Sequence, residues 1–215
     1  GEIVYTPPQE NAAIVTHMKN LEEYINHKEK DGLDPLIKMA IIHHQFESIH
    51  PFFDGNGRAG RILNLLYLIE NQLLDIPILY LSRYITQNKR DYYRLLQAVR
   101  DENAWEQWLL FMLTAVERTA IQTIGTIESI KTLMQEYKRV LKEKLPRIYS
   151  HELINNIFSH PYTKIEYIVD DVGVSRLTAS RHLKKLEELG LLHMQKHKNT
   201  NYYINERLVR LFTAL

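Results

Sequence analysis

The 215-residue sequence contains no cysteine. That excludes a disulfide framework and a thiolate zinc site, and it fits a reducing interior. No apolar run reaches the roughly eighteen residues that a membrane-spanning helix needs, and no signal-peptide pattern opens the chain. A cytoplasmic location without membrane association is therefore expected. Charge of one sign is not in marked excess: 27 Lys and Arg stand against 26 Asp and Glu. An initiating methionine is missing at Gly1, which leads us to expect a chain cut or processed from a longer one. What is present is ordinary for a packed protein, with 45% apolar residues, and the length suits one large domain or two modest ones.

The chain is organised around His50 to Arg61, H-P-F-F-D-G-N-G-R-A-G-R. It opens on a histidine, carries one carboxylate at Asp54, and gathers Gly55, Asn56 and Gly57 into a small-residue turn. Arg58 and Arg61 follow at i, i+3, before an apolar run, Ile62 to Leu74, that reads as a helix. Each part suits a polyphosphate. Glycines let backbone N–H groups approach an anion. A helix N-terminus adds free N–H groups and a positive dipole end. Arginines offer planar, multidentate contacts. A carboxylate can hold Mg2+ that bridges protein and phosphates, and a histidine beside them can take a proton from an attacking hydroxyl. Taken singly, Asp-Gly-Asn-Gly is common turn chemistry; the combination within one short stretch is what points to a site. Phe52 is read as a packing anchor for the loop.

The stretch resembles the active-site motif of the Fic family, H-P-F-x-D/E-G-N-G-R-x-x-R, without departure at a fixed position. His43 to Ile49, H-H-Q-F-E-S-I, resembles the helix that leads into that motif. The resemblance implies transfer of AMP from ATP to a Ser, Thr or Tyr hydroxyl of a protein. His50 would be the catalytic base, Asp54 the Mg2+ ligand, and Asp54, Gly55, Asn56, Gly57, Arg58, Ala59, Gly60 and Arg61 the ATP-binding set. Tyr92 and Tyr93 match a tyrosine pair that lies against the nucleoside in the family. Arg100 stands near where the family often has asparagine, which puts that contact in doubt. Ile3-Val4-Tyr5, stopped by Pro7-Pro8, reads as a short strand and corresponds to the outgoing half of the family's β flap, so the chain is expected to begin inside the flap. The family's inhibitory pattern, Ser/Thr-x-x-x-Glu-Gly/Asn, is formally matched only by Thr6 to Asn11, where two prolines oppose a helix. A brake outside this chain is expected. Alternatives left open are transfer of phosphate or phosphocholine, removal of AMP at the same site, and a DNA-binding regulator whose Fic domain is idle.

The remaining pattern is mainly helical. Helices are predicted over 9–30, 35–47, 62–74, 81–100 and, whole or broken once, 104–145. Asp34 is the N-cap and Pro35 the first residue of the second. His43 and His44 read as core histidines, since no closed metal shell accompanies them. Within Tyr92-Tyr93, one ring should face the core and the other turn about 100° away.

Residues 146–215 carry ten basic and seven acidic side chains and half of the ten histidines. A helix from Ser150 or His151 to Phe158, a second over 163–171, a turn at Gly173, a third over 175–189 and two strands, 191–195 and 201–204, form the order of a winged helix-turn-helix domain. The fold class expected is thus mainly α. A Fic-type helical bundle with a short β flap would occupy 1–125, a linking helix 126–146, and a small winged helix-turn-helix domain 147–215. Arg176 and Arg181 on the third helix could reach DNA bases or phosphates, and Lys196 and Lys198 on the wing could touch its backbone. Expected partners are ATP, a hydroxyl-bearing protein, DNA through the C-terminal domain, and a second copy of the chain in a homodimer.

Overall fold

The structure, a computed structural model, describes residues 5–26 and 32–213. The chain divides into two compact units, Gly1–Thr123 and Ile124–Leu215. Most of the predicted flap strand, Ile3 and Val4, lies outside the described residues, as does the end of the first predicted helix. From Tyr5 to Gln9 the chain forms neither helix nor strand.

The first unit is a bundle of α1 (Asn11–Asn26), α2 (Pro35–Ile49), α3 (Asn56–Glu70), α4 (Leu81–Gln87), α5 (Lys89–Glu102) and the first part of α6 (Trp105–Lys144). Asp34 caps α2 by accepting the Leu36 N–H at 2.8 Å, and Pro35 occupies the first turn, where its missing N–H costs nothing. The α2 helix is buried over most of its length, including Met39, Ala40, Ile42, His43, Phe46 and Ile49. It packs on α1 and on α3. Trp108 of α6 is fully buried, and its indole N–H donates to the Ala40 carbonyl at 2.9 Å, giving the polar edge of a core ring its partner.

Two helices differ from expectation, and a third keeps the longer of its two expected forms. Helix α3 starts at Asn56, inside the motif and well before Ile62, because Gly55 takes φ +86° and turns the chain directly into the helix. The predicted 81–100 helix is two helices, broken at Asn88. The Asn88 side chain and backbone N–H both donate to the Tyr84 carbonyl, at 2.8 and 3.0 Å, an amide competing with the helix for the same acceptor. Helix α6 runs its 40 residues without the break allowed for.

In the second unit the later part of α6 supplies Leu133, Tyr137 and Leu141 to a separate core. Around it lie α7 (His151–Ser159), β1 (Tyr162–Thr163), α8 (Ile165–Val172), α9 (Arg176–Glu188), β2 (His193–His197), β3 (Thr200–Ile204) and α10 (Glu206–Thr213). Ser150 and Ser175 cap α7 and α9 through their hydroxyls. The antiparallel sheet has the order β1-β3-β2, with Tyr162 opposite Ile204 and Gln195 opposite Tyr202. The hairpin turn is tighter than predicted: Lys198 at φ +52° and Asn199 alone close it, so Lys196 and His197 belong to a strand. Asn205, fully buried, ties this unit together. It accepts from the Tyr137 hydroxyl (3.1 Å) and the Leu208 N–H (3.1 Å), and donates to the Ile157 carbonyl (3.2 Å). Among the described residues no helix is long and apolar enough to cross a membrane.

Candidate active site

The motif begins where α2 ends. His50 is the C-cap of α2 in the left-handed region, φ +52°, with its N–H on the Phe46 carbonyl at 3.0 Å. A non-glycine residue in that region is uncommon, and such backbone costs about 1–3 kcal/mol unless its surroundings over-determine it. The consequence is geometric: the chain leaves the helix at once, and the His50 side chain is exposed.

Asn56 fixes the loop that follows. Its side chain is buried; Oδ1 accepts the Phe52 N–H at 2.9 Å and Nδ2 donates to the Phe52 carbonyl at 2.6 Å. The role given to Phe52 is therefore performed by Asn56, since the Phe52 ring is half exposed and meets Phe46 only at 6.3 Å between centroids. The amide of Asn56 is committed to the loop. Its backbone N–H and those of Gly57 and Arg58 remain at the start of α3, where no intrahelical acceptor exists. Asp54 sits on the exposed rim, accepting the Gly55 N–H at 2.7 Å and meeting Arg58 at 3.3 Å. Arg61 turns the other way, and its Nε donates to the Ser82 hydroxyl at 2.7 Å.

One cavity of about 610 Å³ opens beside this turn. His50, Gly57 and Arg61 line it, with Tyr92, Tyr93, Lys89 and Arg100 from α5. Tyr92 is buried and its hydroxyl lies 3.0 Å from His43 Nε2; Tyr93 is 56% exposed and meets the Tyr92 ring edge-on at 5.2 Å. The two rings thus split between core and surface as the helical period required. Tyr5 also lines the cavity. The Arg100 guanidinium stacks 3.7 Å over its ring, and the Tyr5 hydroxyl donates to the Ser48 carbonyl at 2.8 Å. Asp54, Gly55, Asn56, Arg58, Ala59 and Gly60 are not among the lining residues.

Gly60 serves the packing of α3 on α2. It is buried in α3, and a Cβ there would meet Glu47 Oε1 at 2.8 Å, Phe46 Cδ1 at 3.2 Å and His43 Cε1 at 3.3 Å. Glycine at 60 lets α3 close on α2. Glu47, which the sequence reading passed over, is only 8% exposed and lines the cavity. Burial raises its pKa against the opposing pull of His50, Arg61 and Arg100. Behind the cavity, His43 and His44 are buried, and burial lowers both to about 4, so they are neutral at pH 7. His43 is held between Asn64 (3.1 Å) and Tyr92, and its ring stacks on Trp108. Among the described residues no group of three or more acidic or histidine side chains could hold a metal.

In the second unit, Arg176 is paired with Glu166 at 2.8 Å. Arg181 is exposed on the same helix. Lys196 lies within β2, in register with Asn201, and Lys198 forms the hairpin turn. Both lysines are exposed.

The profile of the Fic/DOC family matches residues 1–68. The profile of the protein adenylyltransferase SoFic-like C-terminal domain matches residues 133–208. A probable protein adenylyltransferase of Aquifex aeolicus is 48% identical over 54 residues, 25% of this chain and 17% of that protein. The protein adenylyltransferase Fic of Aedes aegypti is 30% identical over 102 residues, 47% of this chain and 19% of that protein. The chain thus spans under a fifth of the length of these two curated relatives. The crystal structure of a Fic family protein from Desulfovibrio desulfuricans shares the fold, with a TM-score of 0.53 at 21% identity over 95% of this chain and 58% of that one.

Proposed function

We propose that this chain is a protein adenylyltransferase, moving AMP from ATP to a side-chain hydroxyl of a protein, itself included. The observation that carries the reading is the convergence of His50, Gly57 and Arg61 on one cavity that is walled by Tyr92 and Tyr93. His50 takes the proton of the attacking hydroxyl. The hydroxyl oxygen bonds to the α-phosphorus, the bridge from that phosphorus to the β-phosphate breaks, and pyrophosphate leaves. The free N–H groups of Asn56 and Gly57 stabilise charge on the α-phosphate. Arg61, with Arg58 from the rim, holds the β- and γ-phosphates, and the tyrosines lie against the nucleoside. Asp54 suits Mg2+ as a single exposed carboxylate, because that ion takes most of its ligands from phosphates and water. When bound it would neutralise phosphate charge. Ala59 and Gly60 support the turn from behind.

The division of labour we infer gives catalysis to residues 1–125 and recognition to 147–215, joined by 126–146. The order of α7 to β3 suits a winged helix, and the exposed Arg181, Lys196 and Lys198 favour a second role for it in DNA contact. Binding of a labelled DNA pool that weakens on replacing these three with alanine tests that role; unchanged binding removes it.

The transfer itself is tested with ATP labelled in either its α- or its γ-phosphate. Protein should retain the α label and none of the γ. Retention of the γ label would mean phosphoryl transfer, and retention of neither would remove the transferase reading.

A further inference from the structure

The buried carboxyl of Glu47 has no part in the reaction as just described, yet it sits in the wall of the same cavity. Its Oε1 is inaccessible to solvent and has no hydrogen-bond partner. The atom lies over the first turn of α3, 3.8 Å from where a Cβ of Gly57 would stand and 2.8 Å from that of Gly60. Both glycines leave the carboxyl its space. Neighbouring cations do not bond it. Arg61 gives its Nε to Ser82 at 2.7 Å, and Arg100 gives its donors to Ser48 at 3.1 Å and Gln97 at 3.2 Å. The titratable groups around it are His43 and His50 on its own helix, Arg61 on α3, and Tyr92 and Arg100 on α5.

A buried polar atom without a partner costs free energy, and a buried charge without one costs more. Such an atom in a native wall calls for an explanation. A carboxylate in the wall of a cavity that takes a polyphosphate adds repulsion to that cost. The neutral acid removes both terms, because its O–H is a donor and the phosphate an acceptor; a carboxylic acid kept neutral to donate is a known device of active sites.

We propose that Glu47 is a further nucleotide-binding residue, meeting the phosphate chain as a neutral carboxyl that takes its proton from solvent when ATP binds. The inference rests on the adenylyltransferase reading. It makes Glu47 a sensor of phosphate charge: ATP recruits the proton and adenosine does not. Burial already raises the carboxyl's pKa before ligand arrives.

Calorimetric titration of ATP with Mg2+ counts the protons when run in two buffers of different ionisation enthalpy, at about pH 7.5. The His50→Ala background keeps the imidazole out of the count. A net proton uptake is expected there and should be lost on adding Glu47→Gln. At that pH the glutamine variant, which needs no proton, should bind ATP several-fold more tightly, and the difference should shrink as pH falls. Equal proton counts and equal affinities in both variants would overturn the assignment. If the glutamine variant does not fold, the His50→Ala chain is titrated with adenosine: uptake with ATP alone supports the proposal, and equal counts overturn it. Absence of any ATP binding would bring down the transferase reading as well, whereas binding without protons traced to Glu47 brings down this inference alone.

Discussion

The two units bury polar groups in different ways. In the second, the buried Asn205, Asn156, Tyr137 and Thr163 are all bonded. Thr163 donates to Asn156 at 2.6 Å, Asn156 donates to Asp171 at 2.6 Å, and Tyr137 donates to the Leu191 carbonyl at 2.8 Å. In the first, His44 Nδ1, Glu47 Oε1 and Asn64 Oδ1 are buried without partners, and all three residues belong to the helices behind the cavity. Among its described residues the second unit has one such atom, on the half-buried His182. A satisfied polar network specifies a fold; an unsatisfied one beside a cavity is a cost that stability alone does not explain. The left-handed His50 adds to that cost in the first unit. The contrast teaches that polar substitutions in the second unit should act on stability, and those around the cavity on activity and pH response.

The largest effect that would break this contrast is acid sensitivity. His43 goes from 6.5 in the unfolded chain to about 4 in the folded one. Between those values the unfolded state binds more protons, so the stability this histidine contributes is whole above pH 6.5 and is lost as pH falls toward 4. Full loss amounts to about 3 kcal/mol. Both tryptophans, Trp105 and Trp108, lie in the first unit, so urea unfolding followed by their fluorescence reads that unit. The midpoint should fall steeply on acidification, and less steeply in His43→Gln. Equal slopes would show that His43 does not carry the effect.

Asn205→Ala should destabilise the second unit by about 2–3 kcal/mol, since it strands the Leu208 N–H and the Ile157 carbonyl. Hydrogen exchange should loosen around α7 and α10 while AMP transfer persists. A loss of transfer at unchanged exchange would break the comparison. Gly60→Ala sharpens it from the other side. The added methyl meets Glu47, Phe46 and His43 and should cost about 1–3 kcal/mol by overpacking, read in the tryptophan transition. A fully stable variant would mean that α2 and α3 can part without penalty.

Much of the fold was legible because its signals are local. Asp34-Pro35, Ser150, Ser175, Gly173 and Gly190 each mark a helix end through their own side chain or φ, and each stands where such a residue must. The left-handed φ values of Gly173 and Gly190 bear this out. Asn88 breaks a helix without proline or glycine, by bonding back to Tyr84, and its sequence carries no warning. At the site, the motif named His50, Gly57 and Arg61, which line the cavity. It also suggested Gly60, whose reason is a helix contact that only the packing of α2 on α3 displays. Glu47 left a faint signal: the one carboxylate of α2, one turn before His50. Hydrophobic periodicity could not rank that above a surface glutamate, because its burial depends on glycines from the next helix.

The central claim is that the cavity holding His50 transfers AMP. Mass spectrometry of the chain and of a cell lysate after incubation with ATP and Mg2+ tests it most directly, with His50→Ala beside the unaltered chain. The account predicts an AMP adduct on a protein hydroxyl with release of pyrophosphate, reduced at least about a hundredfold in the variant although ATP still binds it. Adducts formed equally by both chains, or none formed by the unaltered chain while it holds ATP, would contradict it.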